Sequence, residues 1–280
     1  MTATRCRLGI STSVLRDTGP GAIGPLWADR GRPAIELSTN MFGRLDDDAA
    51  FRVLAGALAH HAVAVNSIHV PFSNDDDIFH IDPARRRETL RKALVCAGRL
   101  EKLGGGFLVI HPSAEPVTDT ERNARLDRCL ESLKRLATGL PAGGRVRPAV
   151  ELLPRSCLLH TSTEMNAMLD RLADPRFGVC LDVNHANLRE DLVTATRALG
   201  RRIITTHISD NDGIDERHWM PGLGAIPWRE WRDALLGLGY AGCFMYELKP
   251  QVDAEGRPLA DAAAADAITA NFRRIFEEQT

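Results

Sequence analysis

The stretch FGVCLDVNHANLREDLVTATRALGRRIITTHISD, Phe177–Asp210, holds two apolar runs with an amphipathic segment between them. The outer runs, FGVCLDVNHA and IITTHISD, are nearly continuous in apolar and β-branched residues. That is the pattern of strands buried on both faces in a parallel sheet. The middle, EDLVTATRALG, reads as a helix that stops at Gly200. Parallel neighbours need such a crossover, because a hairpin joins only antiparallel strands. Six more apolar runs repeat the pattern: CRLGIST (6–12), AIELS (34–38), AVNSIHVPF (64–72), GFLVIHPS (106–113), PAVELLP (148–154) and CFMYELKP (243–250). Eight strands alternating with helices, in a chain near the ~250 residues usual for the class, predict a (β/α)₈ TIM barrel. A doubly wound open sheet usually has fewer strands and a glycine-rich phosphate turn after the first. GPGAIG (19–24) is not that turn. No linker-like shift in composition divides the chain, so residues 1–280 are read as a single domain.

Helix punctuation supports the alternation. Asp82-Pro83 is an N-cap followed by proline at the first helical position, opening a helix expected to run to Gly104. Thr161 with Glu164 has the spacing of a capping box. Further amphipathic segments occupy 47–61, 120–137, 228–239 and 260–278. Helix signals are weakest in the Gly/Pro-rich segment 13–33. The longest charge runs, Asp46–Asp48 and Arg85–Arg87, read as solvated first turns of helices. Aromatics make up only 5% of the chain, so the core is expected to be aliphatic.

The formal net charge is −2, from 35 basic and 37 acidic residues, which advertises no nucleic-acid partner. No apolar run approaches the ~18 residues of a membrane helix, and MTATRCRLGIST lacks the apolar core of a signal peptide. Six cysteines are scattered with no CxxC spacing. They are read as reduced thiols of a cytoplasmic protein.

In barrels of this kind chemistry sits at the C-terminal ends of the strands. The polar residues there are Glu36, His69, His111, Glu151, Asp182 with His185, His207 and Glu247. Several carboxylates and imidazoles converge with no Lys or Arg at the same strand ends. Burying uncompensated carboxylates is costly, and a divalent cation removes the cost. The most economical ligand set is Glu151, Asp182, His207 and Glu247. Three carboxylates and one imidazole suit one Mn²⁺, Co²⁺, Mg²⁺ or Zn²⁺ ion with open positions for substrate oxygens. His69 and His111, each followed closely by proline, are compatible with substrate contact, with metal binding or with a hydrogen bond inside the rim. His185 is read as a substrate or supporting residue, and His60, His61, His80 and His160 as ordinary surface or core histidines. Arg217 and His218 lie on a loop expected to reach over the site. Gly222 and Gly224 there allow positive φ or close backbone approach. Trp27 and Trp219 are candidates for an apolar wall, and Lys249 and Arg155 lie where a phosphate would meet them.

The segments SIHVPF, VIHPS, AVELLP, VCLDVNHAN, THISDND…RHWMPGLGAIPW and MYELKP resemble the xylose isomerase-like TIM-barrel superfamily, specifically its sugar phosphate isomerase/epimerase group. They cover the third to eighth strands. The resemblance implies metal ligation by Glu151, Asp182, His207 and Glu247. It also implies acid/base roles for Glu151 and Glu247. Two departures stand out: Leu223 occupies the place of a glutamate in the usual His…Pro-Gly-Glu-Gly loop, and Leu152 that of a common asparagine.

The implied activity is isomerisation or epimerisation of a sugar, sugar phosphate or keto-polyol through a metal-stabilised enediolate. One glutamate would remove a proton beside the carbonyl and the other return it. A small-molecule carbohydrate is the expected partner, and a homo-oligomer is compatible with the fold. Two alternatives use the same residues. An endonuclease IV-like zinc phosphodiesterase would take His69, His111, His185 and a Glu216-Arg217-His218 segment into a three-zinc site. An inosose-type dehydratase would need an acid such as His69, His111 or His185 at the leaving hydroxyl.

Overall fold

The structure is a computed structural model that describes residues 6–38, 41, 45, 47–114 and 117–277. Eight parallel strands close into a barrel in chain order: β1 (Arg7–Ser11), β2 (Ala34–Leu37), β3 (Val65–His69), β4 (Phe107–Ile110), β5 (Arg147–Glu151), β6 (Gly178–Asp182), β7 (Ile203–Ile208) and β8 (Cys243–Tyr246). The expected barrel is therefore the fold. Outside it run α1 (Ile23–Ala28), α2 (Asp48–His60), α3 (Pro83–Lys102), α4 (Asp119–Gly139), α5 (Ser162–Leu172), α6 (Val183–Asn187), α7 (Leu192–Leu199), α8 (Trp228–Gly237) and α9 (Asp261–Phe272). Because every strand points the same way, every strand end opens on one rim.

Local signals explain most boundaries. Asp82 caps α3 by accepting from Ala84 N at 2.7 Å, with Pro83 in the first turn. The helix stops at Lys102 rather than Gly104, because Leu103 caps it and Gly104 takes φ +74° just beyond. Asp47 caps α2 through Ala49 N and Ala50 N; Asp46 lies outside the described residues. The capping box on α5 forms by half. Thr161 Oγ1 accepts from Glu164 N, but the Glu164 carboxylate turns to Arg122 and Leu159 N instead of the cap. Segment 13–33, where helix signals were weakest, still folds a short helix, α1. Trp27 sits in it, fully buried in the core and away from any sugar wall.

The core has two compartments, as alternation along a strand requires. Outward-facing Ile10, Ile35, Ile68, Val150, Val179, Leu181 and Ile208 pack under helix residues such as Leu54, Leu100, Leu133 and Leu235. Inside the barrel, Val109, Ala149, Cys180 and Ile204 form one layer, and Ala34, Cys243 and Met245 another. The main body is aliphatic, but the scarce aromatics concentrate at one seam. Trp231, Phe244, Phe276 and Trp228 stack edge-on or tilted there, with centroids 4.8–5.9 Å apart. That seam lies beneath α8 and the C-terminal segment, where β8 meets β1. All six cysteines carry free thiols, five of them buried.

A carboxylate also ties this seam. Asp261, at the start of α9, accepts from Arg16 N (2.9 Å), Asp17 N (3.0 Å) and Thr18 N (2.7 Å). Burial opposes its charge, but these donors outweigh burial and hold the carboxyl below its ordinary range. Its stabilising contribution is complete above the unfolded carboxylate range and fades as pH falls through the lowered value. Asp261→Ala strands three N–H donors, so urea denaturation at pH 7 is expected to show a loss of about 2 kcal/mol. The loss should shrink towards pH 3.

Candidate active site

Strand direction assembles the site. Glu151 and Asp182 end β5 and β6, and His69 ends β3. Glu36 and His207 are one residue from the ends of β2 and β7. His111 and Glu247 follow β4 and β8 directly. Ladder pairing sets Asp182 beside His207, while Glu151 pairs with Cys180. The barrel thus brings together the four residues expected to hold a cation, with one ligand atom of each within 4.8 Å of the others.

His207 is the centre of the arrangement. Its Nδ1 lies 3.1 Å from Glu247 Oε2, 3.6 Å from Glu151 Oε2 and 3.9 Å from Asp182 Oδ2. Yet neither His207 Nδ1 nor Asp182 Oδ2 makes a hydrogen bond among the described residues, although both are buried. Two buried polar atoms near one another without hydrogen-bond partners are costly unless something bridges them. A divalent cation fits: three carboxylates and one imidazole are hard and borderline ligands of the right number. Cys180 lies beneath, and burial drives its thiol pKa up.

The electrostatics follow from crowding. Burial opposes the charge on Glu151, but His111 and His207 outweigh it and hold the carboxyl well below its usual range. Burial likewise opposes Glu247, and His207 prevails, leaving it at about 2. For Asp182 burial wins, and its carboxyl rises to about 6. Burial disfavours the charged His69 ring, but the Glu151 carboxylate raises it to about 9. Burial pushes His111 down.

A cavity of about 540 Å³ opens above these groups. Glu151, Glu247, His111, His185, Glu216 and His218 line its polar side. His111 Nε2 and His69 Nε2 are each 3.2 Å from Glu151 Oε2, but His69 is buried behind the carboxylate and does not line the cavity. His185 Nδ1 bonds Leu152 O at 3.0 Å and lies 3.4 Å from Glu151 Oε1. His218, at φ +50°, faces Ser209 Oγ and Glu247 O at 3.3 Å each.

Arg217 is placed elsewhere. Its Nε donates to Asp212 Oδ2 at 2.8 Å and its guanidinium lies over Trp219, outside the cavity lining. Glu216 takes the position facing the cavity. Trp219 also misses the cavity, and the apolar wall is built instead by Phe72, Leu153, Pro154, Leu248 and Pro250. Phe72 is 56% exposed and stacks on His111 at 4.0 Å between centroids. The phenylalanine in HVPF, three residues past the end of β3, was the available signal. Lys249 lines the cavity, whereas Arg155 pairs with Asp215 and Glu216.

The loop that carries His218 is held by one carboxylate. Asp210 accepts from Gly222 N (2.7 Å), Trp228 Nε1 (2.9 Å) and Ile226 N (3.2 Å). Gly222 has φ +88°, and a Cβ on Gly224 would sit 2.1 Å from Asn211 O. Leu223, in place of the usual glutamate, points away at 67% exposure.

The sequence profile of the xylose isomerase-like TIM barrel matches residues 26–269. The chain belongs to this family. A protein of Methanocaldococcus jannaschii is 25% identical over 224 residues, covering 76% of this chain and 71% of its own. The fructoselysine 3-epimerase of Shigella flexneri is 25% identical over 199 residues, 70% of each chain. Among solved structures, D-psicose 3-epimerase with D-tagatose from Clostridium cellulolyticum superposes with a TM-score of 0.78 at 20% identity. That superposition covers 97% of this chain and 99% of the other. Among the described residues of this xylose isomerase-like barrel, no helix is long and apolar enough to cross a membrane.

The raised Asp182 carboxyl makes a prediction with a definite sign. A folded pKa above the unfolded one means that stability is lost as pH rises from about 4 to about 6. In metal-free protein Asp182→Asn is therefore expected to be the more stable form at pH 8, by about 2 kcal/mol. At pH 4 the two should converge. Urea titrations at both pH values, with chelator present, check this.

Proposed function

We propose that the chain is a divalent-cation-dependent epimerase of a ketose or ketose derivative. The observation that carries this reading is the pair Glu151 and Glu247. They come from β5 and β8, face one cavity, and flank the same ring nitrogen at 3.6 and 3.1 Å. The two 3-epimerase relatives support the carbon next to a ketone as the reacting centre.

A cation held by Glu151, Asp182, His207 and Glu247 would supply Lewis acidity to a ketone and its neighbouring hydroxyl. The protein does the rest. One glutamate removes the proton from the carbon beside the ketone. The other, protonated in its turn, returns one to the opposite face, which inverts the centre. His185 and His218 offer ring nitrogens to hydroxyls along the cavity. Phe72, braced on His111, gives the sugar's C–H face an apolar surface and helps exclude water. The wide, partly apolar cavity has room for a ketose carrying a substituent.

Ketoses incubated with the protein in D₂O are expected to gain one deuterium at C3 and to give the C3 epimer. Glu151→Gln and Glu247→Gln are each expected to lower turnover on the order of 10²–10⁴-fold. Full turnover by Glu247→Gln with its cation retained would overturn the two-glutamate scheme.

One observation favours a second reading. Among the described residues, the candidate ligand groups include His69–His111–Glu151 and Glu151–Asp182–His207–Glu247, which share Glu151, and a separate group, His185–Glu216–His218. Together they resemble the three-zinc site of an endonuclease IV-like phosphodiesterase. Elemental analysis separates the two. About one divalent ion per chain supports the epimerase, whereas two or three zinc ions with cleavage of abasic-site DNA support the phosphodiesterase.

A further inference from the structure

Glu36 is a fully buried carboxylate that neither ligand set nor acid/base pair uses. It sits on β2, separated from β7 in the barrel by β1 and β8. Its Oε2 accepts from His207 Nε2 at 3.1 Å, with Oε1 3.0 Å from the same nitrogen. Ser67 Oγ, its neighbour in the ladder on β3, donates to Oε2 at 2.7 Å. Asn66 Nδ2 in turn donates to Ser67 Oγ at 3.2 Å and reaches Thr205 Oγ1, on β7, at 3.4 Å. A chain of polar groups thus links β2, β3 and β7 beneath the site.

We propose that Glu36 is the positioning residue for His207. Its carboxylate holds the ring by Nε2, so that Nδ1 is the nitrogen left facing Glu247, Glu151 and Asp182. This rests on the cation-dependent reading above. Geometry carries the argument. An imidazole has two nitrogens and can turn about its ring bond. With no acceptor behind it, the ring could equally present carbon to the three carboxylates, or swing towards one of them. A hydrogen bond on the far nitrogen removes that freedom, and the proton it fixes on Nε2 leaves the Nδ1 lone pair for a cation. Ser67 occupies a lone pair of the same carboxylate and fixes its plane.

The experiment has two readouts on Glu36→Ala, Glu36→Gln and Ser67→Ala. The first is the crystal structure of each metal-free variant. In Glu36→Ala the His207 ring is expected to rotate or to lose definite orientation, while Glu36→Gln, which keeps an acceptor, is expected to preserve it. The second is calorimetric titration with Mn²⁺ or Co²⁺. Glu36→Ala is expected to weaken binding about 10–100-fold, with Glu36→Gln and Ser67→Ala in between. Matching urea midpoints show that the variants are folded. If Glu36→Ala does not fold, Ser67→Ala and Glu36→Gln carry the test through the same graded loss.

An unmoved ring together with unchanged cation affinity overturns the assignment. If the wild-type protein binds neither ion, the cation-dependent reading fails, and the ring orientation in the metal-free crystals still decides the role of Glu36.

Discussion

The site depends on the cost of removing charge from water at the barrel mouth. Glu36, Glu151, Asp182 and His207 are buried there, and Glu247 is only 17% exposed. Among the described residues, the ion-pair partners of these carboxylates are imidazoles. The arrangement is compensated unevenly. Glu151 has imidazoles on several sides and stays ionised. Asp182 does not fully escape the desolvation cost. An uneven balance of this kind, with Glu36 Oε1, Asp182 Oδ2 and His207 Nδ1 left without hydrogen-bond partners among the described residues, is an unfavourable ground state by itself. A divalent cation at the proposed site would replace the missing solvation.

The barrel makes this crowding possible and bears its cost. The strands are fixed on their outer faces by aliphatic packing against the helices and at the closing seam by stacked aromatics. Interior layers of Val109, Ala149, Cys180 and Ile204 support the floor of the site. Parallel strand order then delivers seven ionisable side chains to a single rim. Rigid strand ends, rather than loops, hold the groups proposed to do chemistry, and loops supply the cavity walls. Asp210 extends that rigidity into the loop after β7 by taking donors from Gly222, Ile226 and Trp228. His218 is thereby held against Glu247.

Side-chain partners explain where reading from sequence succeeded and where it did not. Glu151, Asp182, His207 and Glu247 were legible because a position at a strand end in an alternating pattern fixes both rim and direction. Glu36 was legible as a strand-end group, but its partner was not, since β2 and β7 are remote in sequence and meet only through closure. Arg217 shows the opposite failure. Sequence placed it on the right loop, but Asp212 Oδ1 accepts from Ile214 N and Asp215 N and turns that loop, while Asp212 Oδ2 accepts from Arg217 Nε and draws it outward. Trp27 was lost to the core and Phe72 gained as a wall, because exposure depends on which helix covers which ring.

The sequence alone determined the number of strands, their alternation with helices, the parallel barrel and the list of ionisable groups at its rim. Those follow from local periodicity and spacing, which act over a few residues and survive without knowledge of neighbours. Tertiary structure alone decided which nitrogen of His207 faces the carboxylates, which carboxyl stays neutral longest, and which rings border the cavity. These are properties of contacts between strands or loops far apart in the chain. Distance and burial set their energies, and both exist only once the barrel has closed.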